Sequence, residues 1–463
     1  SADIWSIGIL CYEMLIGRAP FESNTVSGIL KNVEKGNYCI PLNLSKEVAS
    51  FLNGMIQNNP IKRLSANELI RHHFLIKNIS LPDSLTTIGN GAFRNTSVKT
   101  LALGKNVSSV GEEICYNSST STTSLETITV NPANPNFTVD NNMFMDKSKE
   151  TLYFATNKLG NDIVIPEGVK YIGNSAFSNL KTVTSYTFPS TLVEIGEGAF
   201  LSTKVKSITF PASLKKIGEG AFYSGDVNTV NFNNGLEEIG GFSFRMSEIT
   251  AISIPNSVKK IGEYAFYQTG IFEAFTAPLD LGTGVQEIGE GAFMNCVLND
   301  TVNIPASVTS LGVGAFGADI STYGQRLTNI TVDSANPNYT AENGVVMNKA
   351  KTSVYAYAAG KTTVTLPSTV TRIENYGLSA GGNSVRGVLT TSISLPSSLE
   401  YIGKYGLFGQ FRVTALTVPA SVAYVGESAF GYWSGNQAIT FNCTRSYAAE
   451  KFDKSFLNSC SAK

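Results

Sequence analysis

The chain of 463 residues carries two histidines, His72 and His73, side by side near one end. Imidazole acid–base or metal chemistry is therefore confined to that stretch, and no residue beyond it can complete a Ser-His-Asp triad. Three glycine pairs, Gly196 with Gly198, Gly218 with Gly220 and Gly289 with Gly291, have the spacing of a phosphate-cradling loop. Glu197, Glu219, Glu263 and Glu290 offer carboxylates of the kind that paired acids use in hydrolysis. All of these lie in one recurring run, Gly-Glu-Gly-Ala-Phe or Gly-Glu-Tyr-Ala-Phe. The glycines read as parts of a repeated bend and the glutamates as solvated edge residues. Six cysteines, Cys11, Cys39, Cys115, Cys296, Cys443 and Cys460, are scattered with no Cys-x-x-Cys, which argues against zinc and for free thiols in a reducing compartment.

The element that positions these residues is a repeat. Its core isoleucine falls at Ile172, Ile195, Ile217, Ile239 and Ile261, in steps of 23, 22, 22 and 22, a period that signals a solenoid. The same mark continues through Ile88, Val110, Ile288, Leu311, Ile373, Ile402 and Val425, giving twelve coils. In the fullest copy, residues 208–222, Ile208 and Phe210 alternate with outward Ser207 and Thr209, and Pro211 ends the strand. Leu214 and Ile217 return to the interior, Gly218 permits a tight bend, and Ala221 with Phe222 closes the coil. No single coil buries enough apolar surface to offset the entropy of ordering it, so stability must come from stacking. Equivalent residues then sit about 4.8 Å apart on neighbouring rungs. Glu194, Lys216, Glu238, Lys260 and Glu287 alternate in sign there, a charge ladder that disfavours slipped registers.

This pattern resembles the BspA-like leucine-rich repeat over residues 79–441. The resemblance implies a β-rich, curved, right-handed solenoid used in adhesion or protein recognition, with no catalytic, cofactor or metal-binding residues. Two steps of 62, Val110 to Ile172 and Leu311 to Ile373, hold related inserts at about residues 131–160 and 333–361, which read as β-hairpins turning at pairs such as Asn343-Gly344. The domain expectation is an array over 77–441 and a capping segment over 442–463 with a short helix at 446–452.

Residues 1–76 are a different object. Ile4 to Ile16 is apolar nearly all round and reads as a buried helix ended by Gly17. Asp3-x-Trp5-Ser6-x-Gly8, then Glu13, Gly17, Pro20-Phe21, Pro60-x-x-Arg63 and His73-Phe74, resembles the end of a Ser/Thr protein kinase catalytic domain. The resemblance implies fold-supporting roles for Asp3, Trp5, Gly8 and Arg63. The aspartate would brace the catalytic loop and the arginine would pair with the glutamate of Ala-Pro-Glu. The Gly-rich loop, the ATP lysine, His-Arg-Asp and Asp-Phe-Gly are expected upstream of Ser1, so ATP and magnesium would be bound only by a longer parent. A buried Asp or Arg without its partner, and a helix without its covering lobe, would leave this segment marginal. A degenerate pseudokinase docking module and a spurious junction of two genes are the alternatives to a fragment of a longer product.

A net charge of −1 and a charged fraction of 15% give no field for nucleic acid or anionic lipid, and no apolar stretch spans a membrane. Binding must then use the array surface. Thr187, Thr209, Asn231, Ser253 and Asn303 alternate outward on one sheet as small neutral polar groups suited to a protein or glycan partner. Tyr223, Tyr267 and Trp433, with Tyr323 and Tyr432, follow the core phenylalanines and would supply aromatic anchors, edge packing between coils being the alternative. The expectation is a non-catalytic interaction scaffold, or the regulatory end of a Ser/Thr kinase. A cytoplasmic location follows from the kinase end, a cell-surface or secreted one if that segment is spurious.

Overall fold

The computed structural model describes residues 2–442 apart from 42–43, 45, 70–71, 73–77, 97, 116–124, 271–274, 319–325, 382–388, 432 and 434–436. The expected terminal helix at 446–452 lies outside the described residues. The chain forms two compact units, Ser1–Asn142 with Thr156–Lys158, and Met143–Ala155 with Leu159–Lys463.

The first unit begins with four helices, α1 (Ala2–Ile16), α2 (Val26–Lys35), α3 (Lys46–Met55) and α4 (Ala66–Leu69). Gly17, at φ 78°, ends α1 as expected. Gly8 is buried because a Cβ there would lie 2.7 Å from Met55 Cβ, so glycine lets α1 lie against α3. Tyr12, Phe21, Phe51, Leu52, Met55, Ile56 and Leu69 form the small core. α1 is not buried all round but exposes one face, as expected of such a helix without its covering lobe: Ile7, Leu10 and Met14 are 51%, 58% and 85% exposed, an apolar stripe at i, i+3 and i+7. Rungs of the repeat follow, with Asn78–Ser80, Thr100–Leu103 and Thr127–Val130 parallel, and Thr87–Ile88 beside Ser109–Val110.

The second unit is a stack of coils. Tyr171–Ile172, Glu194–Ile195, Lys216–Ile217, Glu238–Ile239, Lys260–Ile261, Glu287–Ile288 and Ser310–Leu311 pair in parallel, core residue opposite core residue. Arg372–Ile373, Tyr401–Ile402 and Tyr424–Val425 form a second run. All twelve residues that mark the repeat end such a two-residue strand. On the other side of the coil Ser207–Thr209 pairs with Thr229–Asn231, and its middle residue Ile208 is buried between two exposed ones, as the alternation predicts. The core phenylalanines form one column: Phe177, Phe200, Phe222, Phe244, Phe266, Phe293 and Phe316 stack with centroids 5.0–5.7 Å apart and planes within 7°.

The first glycine of each bend has a different reason from the expected one. A Cβ on Gly218 would meet the Gly196 carbonyl carbon at 2.6 Å, so glycine is required by the approach of the neighbouring rung. The left-handed turn is held two residues on, at Gly198, Gly220, Gly291 and Gly314, with φ 57–65°.

The inserts are more than hairpins. In the second, Tyr339–Glu342, Val345–Asn348 and Ser353–Tyr357 make an antiparallel meander turning at Asn343-Gly344, both at positive φ. Its third strand pairs in parallel with Arg372–Ile373 and so serves as a rung; Thr151–Ala155 of the first insert does the same for Tyr171–Ile172. The twelve expected coils thus gain two further rungs. Leu311 ends its ladder by donating its backbone N–H to the Tyr339 hydroxyl at 2.9 Å. Asn336 is buried and donates to the carbonyls of Pro305 and Val308 while accepting from the amides of Asn338 and Tyr339, and Asn134 does likewise with Gly104, Val107, Asn136 and Phe137. Asn336→Ala leaves the buried Val308 carbonyl and Tyr339 amide without their partner, while the Pro305 carbonyl keeps the Val308 amide, and is expected to cost about 2–3 kcal/mol, read from the denaturant midpoint. A loss below about 0.5 kcal/mol would contradict this role.

Candidate functional site

The candidate site is the surface that the coils carry, and the register decides what faces what. The predicted charge ladder forms: Glu194 opposes Lys216, Lys216 opposes Glu238, Glu238 opposes Lys260 and Lys260 opposes Glu287. Lys216 Nζ lies 3.1 Å from Glu194 and Lys260 Nζ 3.9 Å from Glu238. The hydrogen bond to Glu194 raises the Lys216 pKa above its ordinary value. These pairs are about half exposed, so they fix register more than they add stability.

Alongside the ladder runs a groove of about 600 Å³. Its floor is the row of bend glycines, Gly196, Gly218, Gly240, Gly262 and Gly289, and its far wall is Glu197, Glu219, Glu263 and Glu290. The four glutamates read as separate edge residues from sequence are therefore one wall of a channel. Together with the ladder the groove presents seven glutamates and two lysines. Among the described residues no group of three or more His, Cys, Asp and Glu side chains could hold a metal ion.

The small polar residues singled out from the sequence are all exposed on the other side of the coil, but they do not share one sheet: Thr187, Thr209 with Asn231, and Asn303 belong to separate two-stranded sheets, and Ser253 to a single bridge. Thr209 and Asn231 face each other and bond at 3.1 Å, Asn303 and Thr331 at 2.9 Å, and Ser253 and Asp280 at 3.1 Å. Much of their polar capacity is therefore directed at one another. Thr187 pairs with Val164 at the end of Ser185–Thr187. Trp433 is a correction: it is 1% exposed, packs edge-on against Phe430 and donates its N–H to the Leu407 carbonyl at 2.9 Å. It is a core residue and offers nothing to a partner.

Tyr223 and Tyr267 are half-buried and flank a residue the sequence reading passed over. Arg245 lies on the coil between them with its guanidinium carbon 5.3 Å from the Tyr223 ring, 4.8 Å from Tyr267 and 5.6 Å from Phe242. Phe242 stacks on Tyr264, whose hydroxyl donates to Glu290 of the groove wall at 2.8 Å. The 22-residue spacing of 223, 245 and 267 is the signal that would have found it.

In the helical segment Asp3 is exposed in the first turn of α1, and Arg63 is half-buried and donates to the Gln57 carbonyl at 2.7 and 3.2 Å. The expected cost of unpartnered buried charges at these two positions is corrected accordingly. Trp5 is half-buried and stacks on Phe21 with centroids 6.0 Å apart.

Buried thiols complete the inventory. Burial pushes Cys115 and Cys296 up to about 12, and Cys296 donates to the Phe266 carbonyl at 2.9 Å. A raised thiol pKa favours the fold up to the ordinary value near 9, and that contribution is lost as the pH climbs toward 12. At pH 8 a thiol reagent is expected to label exposed Cys39 rapidly and Cys115 and Cys296 only as fast as the chain opens. Equal rates at all three would contradict the packing.

A family model described as BspA type leucine rich repeat region (6 copies) matches residues 67–152, 148–272, 272–340 and 348–462. The chain belongs to that BspA type leucine rich repeat family. A leucine rich cell surface protein from Faecalibacterium prausnitzii superposes on the BspA type array with a TM-score of 0.52 at 20% identity, over 69% of this chain and 98% of that one, a likeness of fold alone. The protein kinase domain model matches residues 1–75. There the chain is 36% identical over 88 residues to the serine/threonine-protein kinase PLK4 of Drosophila virilis, covering 19% of this chain and 11% of that protein. It is 37% identical over 78 residues to the Aurora kinase of Candida albicans, covering 17% and 15%. Identity to human Tribbles homolog 1 is 32% over 72 residues, covering 16% and 19%. The chain thus spans a tenth to a fifth of the length of these curated relatives.

Proposed function

We propose that the BspA type array is a non-catalytic scaffold that holds a segment of a partner protein in the groove along its charge ladder. The observation that carries this reading is the groove itself. It is open, it continues across consecutive coils, its floor is bare glycine backbone, and one wall is a row of glutamates. A glycine floor lets a ligand approach the main chain, and seven carboxylates against two ammonium groups favour a basic segment over a polyanion. The neutral face of Thr187, Thr209, Asn231, Ser253 and Asn303 is the weaker candidate, because several of its groups bond across rungs. No helix among the described residues is long and apolar enough to cross a membrane.

The test compares the full chain with Glu219→Lys/Glu263→Lys as immobilised bait. Partners held by the native groove should drop at least tenfold with the charge-reversed chain while the melting temperature stays within a few degrees. An unchanged partner set would overturn the groove as the binding face.

A second reading is favoured by a specific observation. The kinase-like match at 1–75 and the exposed stripe of Ile7, Leu10 and Met14 support the proposal that α1 is covered by further kinase lobe in a longer Ser/Thr kinase, which alone would bind ATP and magnesium. The array would then choose that kinase's partners. Reading the coding sequence upstream of Ser1 decides it: an in-frame His-Arg-Asp and Asp-Phe-Gly supports the kinase parent, and a stop codon or a signal peptide removes it. On this reading the cytoplasm is the expected location, in keeping with cysteines that are free of disulfides among the described residues.

A further inference from the structure

The repeat is its own control, because each coil shows what an ordinary coil does at every position. At the left-handed position of the bend Gly198, Gly220, Gly291 and Gly314 are glycine, while Phe242, Tyr264, Tyr376 and Tyr405 carry large rings there, at φ 51–60°. Bulky residues pay about 1–2 kcal/mol for that conformation. One residue later Ala199, Ala221, Ala265 and Ala292 are alanine, and the coil of Phe242 has Ser243. The residue after the core phenylalanine varies, with Arg94, Ser178, Leu201, Tyr223, Tyr267, Met294 and Gly317 in other coils and Arg245 in this one; Arg94, the other arginine at that place, lies 3.5 Å from Glu113. In this coil the bend ring and the arginine come together, with the Arg245 guanidinium carbon 5.6 Å from the Phe242 ring.

That guanidinium is held among the rings of Tyr223, Phe242 and Tyr267, and its Nε is buried with no hydrogen-bond partner. That N–H is sealed from solvent, so it is the two terminal nitrogens of the guanidinium, neither of them among the buried unpartnered atoms, that a group from another molecule can meet. Among the described residues Arg245 makes no ion pair: Asp226 is engaged with Lys204 at 3.0 Å, Glu248 with Lys206 at 3.2 Å and Glu290 with the Tyr264 hydroxyl, while Glu219 and Glu263 line the groove. The array contains a second arginine on a ring, and there the set is complete. Arg372 lies 3.9 Å over the Tyr401 ring, and its Nε donates to Glu374 Oε1 at 3.2 Å. The same cation-on-ring arrangement in this fold thus takes a carboxylate from its own chain at Arg372 and none, among the described residues, at Arg245.

We propose that Arg245, caged by Tyr223, Phe242 and Tyr267, is the anchor for an aspartate or glutamate side chain of the partner protein. A planar guanidinium matches the two oxygens of a carboxylate, and surrounding rings exclude water and strengthen the pair. The single positive charge suits a monoanion; a phosphate dianion would need a second cation, and no lysine or other arginine takes part in the cage. Met246, 42% exposed beside the cage, provides an apolar rim for the methylene carbons. Because Phe242 stacks on Tyr264 and Tyr264 bonds to Glu290, the cage borders the groove. The inference rests on the scaffold reading and adds to it that the basic segment in the groove is flanked by an acidic residue.

The experiment follows the arginine side-chain Nε–Hε resonances of the full chain during titration with capped N-acetyl-glutamate N-methylamide, with the capped glutamine analogue and inorganic phosphate in parallel. The Arg245 resonance, assigned by its loss in Arg245→Lys, should shift saturably with the glutamate analogue alone, while that of Arg372, already bonded to Glu374, stays in place. Tyr223→Leu and Tyr267→Leu should each weaken the response at least threefold. An Arg245 resonance that does not move, that moves equally with the glutamine analogue, that moves more with phosphate, or that moves no more than Arg372 would overturn the proposal. Because the titration needs no partner, it fails independently of the bait experiment: a partner lost by groove reversal together with a silent Arg245 sinks the anchor and leaves the scaffold.

Discussion

Phe222→Ala is expected to destabilise the array by about 3–5 kcal/mol. The ring is fully buried, stacks on Phe200 at 5.0 Å and on Phe244 at 5.2 Å, and meets Phe210 edge-on at 5.7 Å. Its removal opens a cavity in mid-column, and the stacked neighbours on either side cannot close it without moving two sets of rungs. The coupling should be visible as well. In a double-mutant cycle Phe222→Ala and Phe244→Ala should interact by about 0.5–1.5 kcal/mol, because each ring is part of the other's environment. Phe222→Ala and Phe430→Ala, which share no ring contact, should be additive. Denaturant unfolding read by tyrosine and tryptophan emission measures all four species, and a Phe222→Ala loss below 1 kcal/mol would mean that the column is not the core.

Gly240→Ala should be the second large effect, at about 3 kcal/mol. The added methyl would sit 2.6 Å from the Gly218 carbonyl carbon, 2.7 Å from the Ile217 carbonyl oxygen and 2.8 Å from the Glu219 nitrogen. All three are main-chain atoms that cannot swing aside. Relief requires the rungs to part, which breaks the 2.8 Å hydrogen bond from the Gly240 amide to the Ile217 carbonyl. Gly89 holds the same place in its motif, and a Cβ there meets nothing within 4 Å. Gly89→Ala should therefore be neutral or slightly stabilising, by up to about 1 kcal/mol through the unfolded chain. Comparable losses in the two variants would show that glycine serves backbone freedom and not rung contact.

The parts legible in the sequence are those that repeat. Ile195, Ile217 and Ile239 recur every 22 or so residues because each must plug the same hole, and their strands pair residue for residue. The alternating sign of Glu194, Lys216 and Glu238 was legible for the same reason. What the sequence hid depends on neighbours that no period announces. Trp433 lies three residues after a core phenylalanine, in the same variable loop that Tyr223 opens in its own coil, yet it is sealed by Phe430 and the Leu407 carbonyl. Ile7, Leu10 and Met14 look like core on a helix apolar all round, and only the arrangement of α3 decides which face is covered. The inserts read only as hairpins because Leu152 and Val354 lack the Ile-Gly mark, although both take rung positions. Arg245 was hidden by the repeat itself: reading for what coils share discards the position after the core phenylalanine, which varies from Arg94 to Ser178, Tyr223 and Arg245.

Native-state hydrogen exchange on the full chain tests the stacked-coil account most directly. The amides of Gly196, Gly218, Gly240, Gly262, Gly289 and Gly312 each donate to the carbonyl of the preceding rung's core residue at 2.7–2.8 Å. The account predicts strong protection at these positions, recurring at the 22–27 residue spacing of the rungs and weakening together in Phe222→Ala. Fast exchange at these glycines, or protection gathered in a few blocks unrelated to that spacing, would contradict it.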